Sequence, residues 1–202
     1  MGDAAGHYFE PDPATASRPR TVRLDLPDRS LELRTDRGVF SAERVDPATK
    51  LLLLDAPEPP DAGTFVDLGC GYGPIACTLA ARRPEATVWA VDVNRRALDL
   101  CRANAASLGL ANVRVAAPED VPDDLEVDLV WSNPPIRIGK AALHELLLGW
   151  LARLRDDGAS AVLVVHEHLG ADSLQRWLEG EGWPTTRLGS RDGNRLLEVR
   201  RT

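Results

Sequence analysis

The chain has little cysteine, and the three residues present, Cys70, Cys77 and Cys101, show no CxxC spacing. That pattern argues against a disulfide framework and against a cysteine zinc site, and it fits a reducing, cytoplasmic compartment. Cys77 and Cys101 are expected on the buried faces of helices, with Cys70 a small residue inside a turn. No apolar run approaches the length of a membrane span, and Met1-Gly2-Asp3-Ala4-Ala5-Gly6 lacks the basic-then-apolar pattern of a signal sequence. Lysine is nearly missing, Lys50 and Lys140 being the only two. A net charge of −7 argues against nucleic-acid binding through the whole surface. A local basic face stays open, because Arg18, Arg20 and Arg23 cluster early, Arg137 and Lys140 sit together, and Arg187, Arg191, Arg195, Arg200 and Arg201 crowd the end. His166 and His168 flank Glu167 without a third ligand at a sensible spacing, so no metal is expected. Internal repeats and low-complexity tracts are absent.

What is present is enough chain for one sizeable core and a small appendage. Residues 1–20 read as an irregular arm. Thr21–Leu26 and Leu31–Thr35 alternate apolar and polar side chains around Pro27-Asp28-Arg29, which predicts a hairpin. Asp36-Arg37-Gly38 predicts a turn, Val39-Phe40 a short extended piece, and Pro47–Leu54 a helix opening at Asp46. Residues 57–63 read as a linker, so 1–56 form the appendage and 57–202 the main domain. From Thr64 strands and helices alternate: strand Thr64–Leu68, helix Pro74–Arg83, strand Thr87–Val93, helix Arg95–Leu108, and strands Asn112–Ala116 and Val127–Trp131. Helix Lys140–Leu154, strand Ser160–Val165, helix Ala171–Glu179 and a final hairpin, Thr185–Leu188 with Arg195–Val199, complete the chain. Repeated strand–helix units with apolar strands imply a mostly parallel sheet covered on both faces, with antiparallel character at the last edge.

Two short motifs carry the chemistry. The first, Val66-Asp67-Leu68-Gly69-Cys70-Gly71-Tyr72-Gly73-Pro74, is a glycine-rich turn from a strand into a helix. Glycines lack a Cβ and let a ligand approach the backbone. The GxGxG order, with Pro74 next, departs from the dinucleotide pattern, and Asp67 is placed to orient the turn and an ammonium group. Asp92 ends the second strand about twenty residues later, where a carboxylate suits two ribose hydroxyls. Asn94, or Asp92 itself, suits the cap of the following helix. Glu119 and Asp120 follow the third strand, within reach of an adenine edge. The second motif, Ser132-Asn133-Pro134-Pro135, ends a strand with an amide on a rigid turn. An exocyclic amino group conjugated to a base or an amide is a poor nucleophile. The Asn133 oxygen and the Pro134 carbonyl can each accept one of its N–H bonds and hold it on line with a methyl donor.

In combination, DLGCGYGP, VDVN and SNPPIRIGK resemble the "methyltransferase small domain" family of class I enzymes that use S-adenosylmethionine (SAM). The chain is similar to the single-domain relatives of the C-type 16S ribosomal RNA guanine-N2 methyltransferase. The likeness extends to His7-Tyr8-Phe9, Arg37-Gly38-Val39-Phe40-Ser41 and Leu169-Gly170-Ala171-Asp172-Ser173. It implies a Rossmann-like seven-stranded α/β sheet, mostly parallel with an antiparallel C-terminal hairpin, beside the small N-terminal β-hairpin. It implies SAM as cofactor, held by Asp67, Gly69, Gly71, Gly73 and Asp92, while Glu119 and Asp120 are cofactor candidates from their position after the third strand alone. Asn133 and Pro134 would hold the acceptor nitrogen, with Pro135, Ile136, Arg137, Lys140 and Phe40 on the substrate side. The implied partner is RNA, a small-subunit ribosomal RNA or ribosomal particle. The chain departs from the pattern at Ile136, where many amino-methyltransferases carry an aromatic. It departs also at His166-Glu167, where Gln-Lys is usual, and at Asp192-Gly193-Asn194, where Lys-Gly-Tyr is usual. The acidic charge and these losses keep two alternatives open: a small-molecule or protein-amide acceptor, and a SAM-binding regulator without catalysis. A nicotinamide-dependent oxidoreductase is a distant third.

Overall fold

The computed structural model describes residues 15–155 and 158–201. His7-Tyr8-Phe9 and Asp156-Asp157 lie outside the described residues. The hairpin forms as expected, from β1 (Arg20–Asp25) and β2 (Ser30–Thr35). Leu24 pairs with Leu31 and Val22 with Leu33, so period-2 alternation puts all four on one buried face. Helix α1 (Pro47–Asp55) starts where Asp46 predicts, the carboxylate accepting from the N–H groups of Ala48 at 2.9 Å and Thr49 at 3.1 Å. Between them the chain does not extend at Val39-Phe40 but bends through successive turns. The Asp36 carboxylate gathers the Ser17 hydroxyl at 2.6 Å and the Arg37 N–H at 2.7 Å, and Gly38 takes φ +84°, so the segment folds back on itself.

Seven further strands form one sheet: β3 (Ala62–Leu68), β4 (Glu85–Val91), β5 (Val113–Ala116), β6 (Leu129–Ser132), β7 (Ser160–His166), β8 (Thr185–Arg191) and β9 (Asn194–Arg200). Their order is β5-β4-β3-β6-β7-β9-β8, with β9 antiparallel to both neighbours and the remaining pairs parallel. This is the expected class I methyltransferase architecture. Helices α2 (Pro74–Arg82), α3 (Arg95–Ser107), α4 (Lys140–Leu151) and α5 (Ala171–Gly180) cover it. One core joins the hairpin and α1 to α2, α3 and one sheet face; a second lies between the other face and α4 and α5.

Several boundaries differ from the sequence reading. β3 begins two residues earlier, inside the expected linker, and β4 is shifted two residues toward the N-terminus. Helix α4 stops at Leu151 rather than Leu154, because Leu154 leaves the helix to bridge Val127. The Val127 N–H donates to Arg153 O at 2.9 Å and its carbonyl accepts from Arg155 N–H at 3.0 Å. The last hairpin is longer than predicted, closing on Asp192 (φ +50°) and Gly193 (φ +77°), the left-handed pair that a two-residue hairpin turn requires.

Candidate active site

Sheet order reverses around β3, and three loops leave the C-terminal ends of β3, β4 and β6 side by side, where ligands bind open α/β sheets. Leu68 is level with Val91, and Asp67 with Trp131. The glycine turn, Asp92 and Asn133 therefore emerge together. The N–H groups of Gly69 and Cys70 both donate to Val91 O, at 2.9 and 3.0 Å, and the Ser132 hydroxyl donates to Leu68 O at 2.6 Å. These bonds lock the three strand ends to one another.

Two cavities open here. The smaller, about 410 Å³, is lined by Gly69, Gly71, Asp92 and Pro135 together with apolar side chains such as Val91 and Leu146. The larger, a cleft of about 1140 Å³, runs past Ile136 and Arg137 beneath the bent segment after β2. Phe40, Asn133 and Pro134 line both, so the Asn-Pro peptide stands on the border between them. Phe40 is 45% exposed.

The candidate residues divide by position. Asp92 anchors the turn from below: Oδ2 accepts from Gly71 N–H at 2.8 Å and Oδ1 from Asn94 N–H at 2.9 Å, leaving each oxygen further acceptor capacity. Asn94 is the α3 cap, its oxygen accepting from Ala97 N–H at 3.1 Å, and its amide donates to Gly38 O at 2.8 Å. Gly71, at φ +55°, has nothing within 4 Å of where a Cβ would stand. Gly73 is different: at φ +89° its Cβ would meet Cys101 Sγ at 2.6 Å, so its lack of a side chain serves the packing of the turn on α3. Asp67 lines neither cavity. It is fully buried, accepts from Ala76 N–H at 2.8 Å through Oδ2, and among the described residues keeps Oδ1 without a partner. Glu119 and Asp120 form an exposed turn outside the lining, where Pro118 takes their place. Lys140, exposed at the start of α4, also lies outside both linings.

Three residues that the sequence did not place at the site complete it. Asn133 Nδ2 donates to Asp46 Oδ1 and to Thr49 Oγ1, each at 3.0 Å. Asn104, buried on α3, accepts from Arg34 N–H at 2.7 Å and donates to Arg34 O and Tyr72 O at 2.9 and 2.8 Å, tying the hairpin to the glycine turn. A polar residue within a helix gave no signal of that span. Asp46 reads only as the point where a helix opens, and Thr49 carries no signal of its own. The changed pair His166-Glu167 sits beside the larger cleft, with Glu167 ion-paired to Arg195 and His166 Nδ1 accepting from His168 N–H at 3.2 Å.

The profile of the methyltransferase small domain family matches residues 30–181. The chain belongs to that family. This methyltransferase domain is 32% identical to the Bacillus subtilis (strain 168) uncharacterized protein YbxB, over 86% of this chain and 87% of that one. It is 33% identical to the ribosomal RNA small subunit methyltransferase C of Hahella chejuensis, over 77% of this chain and 45% of that one. The T. thermophilus 16S rRNA N2 methyltransferase, solved in complex with AdoMet and guanosine, superimposes with a TM-score of 0.76 at 24% identity, over 91% of this chain and 51% of that one. The chain thus spans between about a third and a half of the length of the ribosomal RNA methyltransferases it matches.

The cofactor of this methyltransferase family is SAM, and the smaller cavity fits such a molecule. Its volume is in the range for a drug-sized ligand. Gly71 leaves the turn open, and Asp92 supplies spare acceptors. The buried Asp67, with its orphaned oxygen, places a further carboxyl group beneath the turn. Burial pushes Asp67 up to about 8, with the Ala76 N–H opposing and the Asp92 charge reinforcing the shift. Burial also raises Asp92, against the N–H groups of Asn94, Gly71 and Val93. A cationic ligand favours both carboxylates, so the complex binds fewer protons than the free protein. SAM affinity is therefore expected to rise with pH over the interval below about pH 8, the value to which burial pushes free Asp67, with proton release. Calorimetry in buffers of different ionisation enthalpy checks this; affinity that falls over that interval contradicts the assignment.

Proposed function

We propose that this chain is a SAM-dependent N-methyltransferase that methylates the exocyclic N2 amino group of a guanine in ribosomal RNA. The observation that carries this reading is the border position of Asn133 and Pro134, which line the cofactor-sized cavity and the larger cleft at once. When bound, the cofactor supplies an electrophilic methyl group on a sulfonium. In this reading Asp92 accepts the ribose hydroxyls, and the backbone of Gly69 and Gly71 lets the ligand lie against the turn. Asn133 Oδ1 accepts one N–H of the acceptor. Pro134 O already takes the Ile136 N–H at 2.8 Å, and its second lone pair accepts the other. Two acceptors on one amino group favour the positive charge that grows there as the nitrogen attacks. The nitrogen loses its proton after methyl transfer, when it is strongly acidic, so no strong base is required beside Asn133.

RNA, rather than a small metabolite, is supported by the arginines of the larger cleft. Arg20 is paired with Glu43 at 2.8 Å. Among the described residues, the guanidinium groups of Arg18, Arg37, Arg44 and Arg137 make no ion pair or hydrogen bond, and all four are exposed. Most other arginines are spent on carboxylates or carbonyls, as Arg82 is on Asp28 and Arg187 on Asp172. Unneutralised arginine at one rim of an acidic protein suits a backbone of phosphates. The cleft also exceeds what one base fills. Replacing Arg44 or Arg137 by Ala is expected to raise the KM for RNA and to lower the salt dependence by about 0.7 per arginine in a log–log plot. SAM affinity should not change; titrations over a salt series test both.

The deciding experiment is tritiated-methyl transfer from SAM into total RNA, followed by nucleoside analysis. Label in N2-methylguanosine is expected. Label confined to protein or to small metabolites, or none at all, overturns the proposal.

A further inference from the structure

We propose that Asp46 and Thr49 are positioning residues that hold the Asn133 amide in the single orientation that turns Oδ1 toward the acceptor nitrogen. The inference rests on the methyl-transfer reading of the same site. A primary amide has nearly the same shape after a half-turn about its last bond, yet one orientation offers an acceptor and the other a donor. An NH2 group turned toward the substrate would meet the acceptor's own N–H bonds and hold nothing.

The surroundings select one orientation. Asp46 Oδ1 accepts from Ala48 N–H, Thr49 N–H and Asn133 Nδ2, and a carboxylate has no proton to offer an amide oxygen. Thr49 Oγ1, in the buried first turn of the same helix, takes the second Nδ2 proton. Both amide protons are thereby engaged on the α1 side, and a flipped amide would press Oδ1 against Asp46. Asn133 itself sits on a turn stiffened by Pro134 and Pro135, so the whole side chain is fixed at base and tip. Helix α1, which precedes the glycine turn in sequence, therefore completes the acceptor site as well as packing beside β7 and α2.

Three variants separate orientation from structure. Asp46→Ala removes the cap and one acceptor. Thr49→Val keeps shape and cap but removes the other acceptor. Asp46→Asn keeps both a cap and an acceptor oxygen. Asp46→Ala is expected to lower kcat about ten- to hundredfold and Thr49→Val by less. KM for RNA and SAM affinity should stay near those of the unaltered protein, and Asp46→Asn should restore most of kcat. Hydrogen exchange of the Asn133 side-chain amide, followed by NMR, reads the clamp without any turnover. It should be slow in the unaltered protein and fast in Thr49→Val. Unchanged kcat and unchanged exchange in Thr49→Val overturn the proposal, as does an Asp46→Asn protein as inactive as Asp46→Ala. If the unaltered protein methylates no RNA, the functional reading fails, while amide exchange still decides the clamp.

Discussion

Replacing Asn133 by Ala is expected to lower methyl transfer by at least about a hundredfold, the loss typical of removing a preorganised group aimed at developing charge. The substituted side chain lies at the border of the two cavities, and its amide protons point to Asp46 and Thr49. Binding of SAM depends in the proposed site on the turn and Asp92, so its dissociation constant should change by less than about threefold. Fold stability should fall by only about 1 kcal/mol, because Asp46 still caps α1 when its third donor is gone. Single-turnover transfer, calorimetric SAM binding and a thermal melt on the same preparation keep the three effects apart. Undiminished turnover would remove Asn133 from the chemistry, whatever the protein's substrate.

Gly73→Ala carries the largest expected effect on stability. At φ +89° an alanine is strained, and its Cβ would stand 2.6 Å from Cys101 Sγ and 3.5 Å from Cys77 Sγ. Both thiols are fully buried, so relieving the contact means shifting side chains within the core. Backbone strain and overpacking together should cost roughly 2–4 kcal/mol. That is a large share of the 5–15 kcal/mol typical of a folded domain. A melting temperature lower by roughly 5–15 °C is expected for a chain of this size. Cys101→Ala placed in the same chain should recover part of the loss, because it removes the atom struck while leaving the backbone strain. A melting temperature that does not move, or no recovery in the double variant, would show that the turn is not wedged against α3. SAM affinity should fall with the turn, whose Gly71 N–H is bonded to Asp92.

Much of this site was legible before any fold was known. Short polar turns between apolar strands mark where a sheet ends, so the glycine turn, Asp92 and Asn133 could each be placed at a strand end from local pattern alone. Pro74 at the start of α2 and Asn94 at the α3 cap are local stereochemistry too, and both stand where expected. Boundary differences of two residues at β3 and β4 did not disturb these placements, since the loops rather than the strand interiors carry the candidate groups.

The sequence by itself therefore determined the order of strands and helices, the ends at which polar groups gather and the family to which they belong. Tertiary structure decided what each group faces. It turned Gly73 toward Cys101 rather than a cavity and left Glu119, Asp120 and Lys140 outside both linings. It also brought Asp46 and Thr49 against Asn133 across separations of 87 and 84 residues. Local pattern follows from backbone periodicity and capping, which act over a few neighbours. The orientation of an amide depends on whichever donors and acceptors the packed chain sets beside it, and those come from segments with no local relation to it.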